Sequence, residues 1–378
     1  MRTDFPAKWR VLLMARALDH GGSERQLAET AMSLDRNRFD VEVGAFDIDG
    51  IRAKDLLKSG IPVTRFPVSS FRSPSAVREA FRLAAYVRRR GIRLVHTFDP
   101  PTSAFALPPV KFLTRAVALG SQRGHLDLMP EPVRGMSIFG ERLAHGVVVN
   151  CEYMRKHLVE DAGFRPERIH LCYNGLDLER FQTGPRARPA AIPEDALVIG
   201  TVSVLRPEKG LPTLIDAFSR IRPEFPCAKL LIVGGGPLLE DLRKQAATLG
   251  VAPDCIFQPS TADVAPWLRN MDIFVLPSLS EAFSNALMEA MGCGCCPVAS
   301  RVGGTPELVN DGVTGLLFEP GDAAGLAAAI RRVAVSAELR ARLAAAGHDF
   351  IHGRFSRETA ARRMGEIYSG FLHNSGQQ

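Results

Sequence analysis

Short apolar runs alternate along the chain with longer segments in which apolar residues recur at the spacing of a helix. Eight runs predict strands: Val11–Ala15, Val41–Phe46, Leu94–Thr97, Val147–Asn150, Val198–Val204, Leu230–Val233, Ile273–Leu276 and Pro297–Ala299. Most are β-branched and lack alternation, as is typical of strands buried on both faces. Helical periodicity lies between them, for example at Glu24–Leu34, Val77–Arg90, Leu211–Ile221 and Leu238–Leu249. This repetition predicts an α/β protein with doubly wound parallel sheets.

A break in this pattern predicts two domains. The segment Gln182–Asp195 is rich in Pro and Arg and poor in large apolar residues, as linkers are. We therefore expect an N-terminal Rossmann-like domain over residues 1–181, a linker over 182–195 and a second Rossmann-like domain over 196–355. Residues 356–378 have helical periodicity and are expected to pack back on the first domain. Two such sheets place the expected ligand site in a cleft between domains, at the carboxyl ends of strands.

Composition narrows the class of protein further. The 378 residues are 46% hydrophobic and 23% charged, which excludes global disorder. No apolar run approaches the roughly 18 residues that a membrane-spanning helix needs, and the short N-terminal run is interrupted by Arg16. Seven scattered cysteines favour a reduced chain over a disulfide framework. These features predict a cytoplasmic protein.

The net charge of +6 belongs to the first half of the chain. Within that half, Val77–Arg90 places Val77, Phe81 and Val87 on one helical side and several arginines on another. Such a helix is typical of a peripheral contact with an anionic membrane, at the inner membrane surface for a cytoplasmic protein, or of an ordinary surface helix. No zinc-finger pattern and no basic–aromatic motif is present, so nucleic acid is not expected as a partner.

Glycines and a lysine follow predicted strands where a phosphate could bind. Gly21 and Gly22 come after the first strand and open a helix, whose N-terminal N–H groups can face an anion. Lys209 lies in the turn after a buried strand and can neutralise a diphosphate. Gly234 opens another strand-to-helix turn. Each of these features is also compatible with a simple tight turn.

The segment after Ile273–Leu276 carries the strongest signal. Ser284 is predicted to cap a helix, so that the backbone N–H groups from Phe283 to Asn285 face an anion. Glu281 precedes this helix and Glu289 lies in its second turn, on positions that can border one cavity. Carboxylates accept hydrogen bonds from sugar hydroxyls well. The alternative is an amphipathic helix with two solvated glutamates.

A histidine and a group of cysteines are further candidates for chemistry. His96 ends the strand Leu94–Thr97 and is expected to point towards the cleft, although a structural histidine is the alternative. Cys293, Cys295 and Cys296 lack a second ligand pair at zinc spacing, so they are interpreted as small buried residues and no metal site is predicted.

Together these residues resemble a known family over nearly the whole chain. The Gly21-Gly22 turn, Lys209-Gly210, the pair Glu281 and Glu289 in EAFSNALMEAMGCG, and Gly303-Gly304-Thr-Pro-Glu307 are similar to the motifs of retaining glycosyltransferases of family 4, with the GT-B fold. Two segments around residues 150–156 and 173–177 match as well. The Glu pair in its context is the most specific of these motifs.

The resemblance implies a role for each motif residue. His96 and Glu281 would be catalytic, with Glu281 also holding the donor hexose, and Glu289 would bind the ribose hydroxyls. The implied donor-binding residues are Gly21, Gly22, Arg206, Lys209, Gly234, Glu281, Phe283, Ser284, Asn285, Leu287 and Glu289. The donor would be a UDP-, GDP- or ADP-sugar, no cofactor is expected, and the acceptor would be a glycan or a lipid-linked sugar of cell-surface polysaccharide or glycolipid synthesis.

One position departs from the family pattern. Val204 stands where an arginine is common, and Arg206 is two residues further on, which would share a face with Val204 in an extended strand. We therefore hypothesise that Arg206 supplies the missing charge. A GT-B epimerase or phosphorylase is the alternative enzyme, and a catalytically silent nucleotide-sugar-binding protein is a further alternative.

Overall fold

The computed structural model describes residues 8–19, 21–71, 73–124, 129–186, 188 and 192–374. The chain forms two compact units, one made of Met1–Gly175 with Arg357–Gln378 and the other of Leu176–Ser356. The second unit therefore takes in the segment predicted as a linker, of which residues 187 and 189–191 lie outside the described residues. Each unit contains one parallel sheet flanked by helices, so the α/β class and the two doubly wound sheets are confirmed.

The first unit contains a seven-stranded sheet in the order β3-β2-β1-β4-β5-β6-β7. Its strands are β1 Trp9–Ala15, β2 Phe39–Ala45, β3 Val63–Arg65, β4 Leu94–Thr97, β5 Val117–Gln122, β6 Gly146–Val149 and β7 Ile169–Leu171. Its first six helices are α1 Gly22–Ser33, α2 Ile51–Lys58, α3 Pro74–Arg90, α4 Pro100–Leu113, α5 Val133–Leu143 and α6 Glu152–Glu160.

The second unit contains a six-stranded parallel sheet in the order β10-β9-β8-β11-β12-β13. Its strands are β8 Val198–Val202, β9 Lys229–Val233, β10 Cys255–Gln258, β11 Ile273–Leu276, β12 Cys296–Ser300 and β13 Leu316–Phe318. Its helices are α7 Leu211–Ile221, α8 Leu239–Thr248, α9 Ala265–Leu268, α10 Asn285–Gly292, α11 Thr305–Leu308, α12 Ala323–Val335 and α13 Ala337–Arg354.

Strand order reverses once in each sheet. In the first sheet the reversal lies between β1 and β4, and in the second between β8 and β11. The loops that leave two such strands diverge to opposite faces and open a crevice at their carboxyl ends. Each unit therefore has one preferred ligand position, built by the loops after these strands.

The last helix, α14 Arg357–Asn374, belongs to the first unit. Met364, Ile367 and Tyr368 are buried in the same core as β1 and α1. The start of the helix packs against Gly175, where a Cβ atom would lie 2.7 Å from Arg357 Cα. Only a residue without a side chain fits at that close approach.

Five observed strands had no counterpart among the predicted ones. Four of them, β3, β7, β10 and β13, are the edges of the two sheets and are only three or four residues long. An edge strand is solvated on one side and needs no continuous apolar run. The fifth, β5, contains Gly120, Ser121 and Gln122, all buried. This strand was not predicted from the sequence because its second half is polar, whereas a buried strand was expected to be apolar.

No helix among the described residues is long and apolar enough to cross a membrane.

Candidate functional site

The crevice at the reversal of the second sheet is formed by loops that interlock through backbone contacts. The turn after β8 meets the loop after β11, where Leu279 N donates to Glu208 O at 2.8 Å. The turn after β9 meets the segment after β8, where Leu205 N donates to Gly235 O at 3.0 Å. Three strand-to-helix loops are therefore held against one another before any ligand binds.

Glycines permit this close interlocking at several positions. Gly210, which follows a 3-10 turn at Pro207–Lys209, has φ +62°, and a Cβ there would lie 2.0 Å from Pro277 O. Gly234 has φ +148°, and a Cβ would lie 1.8 Å from Ser203 O. A side chain at either position would need both a rare backbone conformation and displacement of a neighbouring carbonyl.

Lys209 and Glu281 form an ion pair in this crevice. Lys209 Nζ lies 2.7 Å from Glu281 Oε2, and the two side chains are 26% and 13% exposed. Both residues were named from the sequence, but their direct contact was not predicted. The Lys209 ammonium is only partly enclosed and contacts a single carboxylate oxygen, so it can exchange Glu281 for a stronger anion such as a diphosphate.

Two serines that sequence reasoning missed support this carboxylate. Ser278 Oγ donates to Glu281 Oε2 at 3.4 Å, and Ser300 Oγ donates to the carbonyl of Ser278 at 2.6 Å. Both hydroxyls are fully buried at the ends of β11 and β12. Their position in the sequence could have identified them, because each serine ends or follows a predicted strand and so lies at the carboxyl edge of the sheet.

Helix α10 begins as the sequence predicted. Ser284 is its N-cap, and its hydroxyl accepts a hydrogen bond from Leu287 N at 3.3 Å. The cap and the neighbouring Phe283 are buried, whereas Asn285 is partly exposed. The first N–H groups of the helix therefore lie beside the loop that carries Glu281, with the positive end of the helix dipole there.

Glu289 lies in the second turn of α10 and is only 3% exposed. The alternative of two solvated glutamates is therefore wrong for this residue and for the mostly enclosed Glu281. Gly303, with φ +52°, approaches the Glu281 loop so closely that a Cβ would lie 1.6 Å from Glu281 O. Gly304 N donates to Ala282 O at 2.8 Å, so the Gly-Gly turn closes over this loop.

Arg206 is placed differently from the sequence expectation. Strand β8 ends at Val202, and Arg206 N donates to Val204 O at 2.9 Å in a tight turn. The expectation that Val204 and Arg206 share a strand face is therefore wrong, because the strand has already ended and the chain turns at Leu205 between them. The Arg206 side chain is 60% exposed, with Glu208 Oε1 at 4.0 Å. Its replacement of the family arginine remains a hypothesis.

His96 lies inside the first unit. Its Nδ1 is 2.6 Å from the hydroxyl of Tyr368 on α14, and its Nε2 is 2.6 Å from Ser121 Oγ on β5. Burial, and secondarily the charge of Arg123, hold the His96 pKa well below its usual value. The expectation that this side chain points into an open cleft is wrong, because strands β1 and β5 flank it and α14 covers it. Its catalytic role remains an untested prediction.

Gly21 and Gly22 begin α1 at the carboxyl end of β1, as predicted. Gly21 is the N-cap in an extended conformation, and the carboxylate of Glu24 folds back to within 2.0 Å of where a Gly21 Cβ would lie. Burial raises the Glu24 pKa, and the nearby Asp99 adds to the rise. Asp99 in turn caps α4 and accepts from Arg16 N at 2.5 Å.

The three cysteines after α10 are buried free thiols, as interpreted from the sequence. Burial raises the pKa of Cys293 to about 12, so its thiol stays protonated at neutral pH. Within the described part of the chain, no three His, Cys, Asp or Glu side chains are placed to hold a metal ion.

Comparison with known proteins identifies the family. A model of "Glycosyl transferases group 1" matches residues 186–350, and a model of "Glycosyltransferase Family 4" matches residues 20–180. The second match covers the first sheet except β1, and the first match covers the whole sheet of the second unit. The chain belongs to this glycosyltransferase family, as the motifs indicated, and its two Rossmann-like units are those of the GT-B fold.

Two curated relatives and one solved structure illustrate the similarity. The D-inositol 3-phosphate glycosyltransferase of Streptomyces scabiei is 31% identical over 66% of this chain and 59% of its own length. The lipopolysaccharide core biosynthesis glycosyltransferase LpsE of Rhizobium meliloti is 34% identical over 53% and 57%. Anabaena Alr3699/HepE in complex with UDP and glucose is 24% identical, covers 96% of this chain and 100% of its own, and has a TM-score of 0.84. The matched part thus spans less than two thirds of these curated relatives.

Proposed function

We propose that this chain is a retaining glycosyltransferase that moves a hexose from a nucleoside-diphosphate sugar to a glycan or lipid-linked acceptor. The observation that carries the proposal is the Lys209–Glu281 pair, held 2.7 Å apart at the strand-order reversal of the second sheet. It lies beside the capped N-terminus of α10. A cation, a carboxylate and the N-terminal end of a helix are the three partners that suit a sugar diphosphate.

The proposed division of labour follows from charge. The diphosphate accepts hydrogen bonds from Lys209 and from the N–H groups near Ser284, while Arg206 swings in from solvent. Glu281, released from Lys209, accepts hydrogen bonds from hexose hydroxyls, and Glu289 accepts from the ribose. Negative charge that develops on the leaving diphosphate is stabilised by these fixed groups.

Retention of configuration is proposed through attack from the same face as the departing group. The departing phosphate oxygen takes the proton of the acceptor hydroxyl as the new glycosidic bond forms and the sugar–phosphate bond breaks. With Lys209 and helix N–H groups stabilising the leaving group, we propose that the reaction needs no divalent metal. Full activity in EDTA is expected, whereas loss in EDTA that Mn²⁺ restores would refute this part.

A thermal-shift panel of UDP-, GDP- and ADP-sugars tests donor binding. The matching donor should raise the melting temperature with concentration, equivalent to about 2.7 kcal/mol at 100 times Kd. Lys209→Ala should abolish this shift. Lys244→Ala removes an exposed lysine of the same unit and should keep it. No shift with any donor, or equal shifts in both variants, would contradict the proposal.

The acceptor is proposed from the chemistry of the named relatives, one of lipopolysaccharide core synthesis and one acting on an inositol phosphate. With the donor known, its labelled sugar can be incubated with membrane extract or with soluble glycans. Label that partitions into the organic phase indicates a lipid-linked acceptor, and label in the aqueous polymer fraction indicates a glycan. Free sugar or free epimer as the main product would favour the alternative GT-B enzymes.

A further inference from the structure

The helix that the sequence singled out as a membrane face is divided in the structure. On α3, Ala84 and Val87 are buried in the core, whereas Val77 and Phe81 are 59% and 60% exposed. The cationic end of α3 is its last turn, which lies at the opposite end of the helix from its capped start. Of the two interpretations offered for this helix, the structure favours the ordinary surface helix, because α3 uses part of its apolar side to cover the sheet.

A different surface combines exposed apolar and cationic residues. A groove of about 480 Å³ lies between the ends of α3 and α4, where the chain enters β4 and β5. Phe112 and Leu113 at the end of α4 line it and are 67% and 38% exposed. Its charged lining residues are Arg88, Arg93 and Arg115, and no acidic residue lines it.

These arginines are available for an external partner. Among the described residues, none of the three has a side-chain hydrogen bond or an ion pair, and all are exposed. The adjacent Arg90, in contrast, is bound to the buried Glu42 at 2.7 Å. Favourable interaction with a helix C-terminus explains Arg88, but Arg93 and Arg115 lie outside the helices. The helix C-terminus also gives no reason for the exposed phenylalanine beside these arginines, Phe112.

We propose that this groove docks the first unit on an anionic phospholipid surface. Arg88, Arg93 and Arg115 would contact lipid phosphates, and Phe112 with Leu113 would insert at the boundary of head groups and acyl chains. Amphipathic surfaces bind membranes through this sum of apolar burial and charge attraction. The groove lies at the amino edge of the first sheet, so the carboxyl edge, with Gly21 and Gly22, stays clear of the lipid.

Vesicle sedimentation tests the proposal. The wild-type chain should bind phosphatidylcholine vesicles that contain about one third phosphatidylglycerol and should bind pure phosphatidylcholine weakly. R88E/R93E/R115E should weaken binding at least about 10-fold, since each arginine near such a surface contributes separately. Phe112→Ser should reduce the binding that survives at high salt, because apolar insertion is not screened.

A matched control is available on three other helices. R332E/R342E/R362E makes the same change in net charge at exposed positions of α12, α13 and α14. This control should bind within about twofold of the wild type. Melting temperatures and donor-induced shifts of the groove variant should equal those of the wild type. These readouts separate a failed groove from a failed donor site, because each can be lost without the other.

Three outcomes would overturn the proposal. The first is equal vesicle binding by the groove and control variants, and the second is no vesicle binding by the wild type. The third is a concentration-dependent dimer in sedimentation velocity that only the groove variant loses, without lipid binding. That result would assign the surface to a second copy of the chain.

Discussion

Two regions of this molecule each enclose a glutamate, with opposite consequences. In the second unit, Glu281 is held by Lys209 and Ser278 at the carboxyl edge of the sheet. In the first unit, Glu141 on α5 is fully buried over Gly120 of β5, and neither carboxyl oxygen has a hydrogen-bond partner among the described residues. Burial raises the Glu141 pKa to about 8, and the nearby Ser137 only partly opposes the rise.

The difference shows how a buried acid can be identified as functional or structural. Glu281 has an exchangeable cationic partner in a crevice, so a ligand can replace one ionic contact with another. Glu141 has neither a cation nor access to solvent, and it is accommodated by keeping its proton. An open position and an exchangeable charge, more than burial alone, distinguish the candidate site.

The largest expected effect on activity comes from removing Lys209, the ion-pair partner of Glu281. Lys209→Ala should lower the transfer rate by about 10²–10³, because one fixed group that stabilises developing charge is lost. The measurement is kcat/KM for the matched donor at saturating acceptor. Lys244→Ala should leave kcat/KM unchanged. A Lys209→Ala enzyme with more than a tenth of wild-type activity would mean that Lys209 does not face the diphosphate.

The buried Glu141 should make the stability of the first unit depend on pH. In the unfolded chain Glu141 ionises with its ordinary pKa of 4.5, whereas the folded chain keeps the proton up to about pH 8. The folded state binds more protons in that window, so the free energy of unfolding falls as pH rises from about 5 to 8. The loss over these three pH units is about 3–4 kcal/mol, since the slope is at most about 1.4 kcal/mol per pH unit and flattens near each pKa.

Glu141→Gln removes this ionisation, and urea unfolding at pH 5 and pH 8 measures the change. The variant should lose much less stability across the window than the wild type. Glu194→Gln changes an exposed glutamate and should behave like the wild type. An unchanged pH dependence in Glu141→Gln would show that the buried carboxyl is ionised by an interaction with another group.

Two glycine substitutions can separate the effect of close packing at the candidate site from the effect of a left-handed backbone. Gly210→Ala should lower the free energy of unfolding by more than about 2 kcal/mol, because a left-handed conformation and a contact with Pro277 O are combined. Gly250 has a similar φ of +70° with no atom within 4 Å of a Cβ. Gly250→Ala should therefore lose only about 1 kcal/mol. Equal losses would show that the loops around Lys209 are free to separate.

His96 offers a smaller effect that distinguishes structure from catalysis. His96→Ala removes the partner of two buried hydroxyls, those of Tyr368 and Ser121, and should lower stability by about 1–3 kcal/mol. Tyr368→Phe should lose less, since it leaves one nitrogen unsatisfied and preserves the ring packing. A catalytic His96 would show a large fall in kcat in His96→Ala at temperatures where the variant is fully folded.

The smallest effect is expected at Ser278. Ser278→Ala should reduce donor affinity by a few-fold, because a neutral hydrogen bond that orients a carboxylate contributes about 1 kcal/mol. Its effect should disappear in a Glu281→Ala background, since the serine acts through that carboxylate. Donor titrations of the two single variants and the double variant measure this coupling. Additive losses would mean that Ser278 acts independently of Glu281.

The parts of the fold that were predictable share a physical property. Central strands such as β1, β8 and β11 are buried on both faces over most of their length, so their sequences are mostly apolar and carry a clear signal. Edge strands such as β3 and β10 are held by a neighbour and by short loops, and their own sequences carry little signal. The cap at Ser284 was equally predictable because N-capping depends on residues three apart in one local turn.

Local sequence therefore determined the α/β class, the two sheets, the start of α10 and the family motifs, since each depends on apolar pattern or on short-range turns. Tertiary structure alone decided which of the named groups meet. It paired Lys209 with Glu281 across 72 positions of chain, added Ser278 and Ser300, and turned Arg206 out to solvent. It also enclosed His96 beneath a helix from the end of the chain. Contacts between residues far apart in sequence follow from strand order, and strand order is a property of the folded sheet.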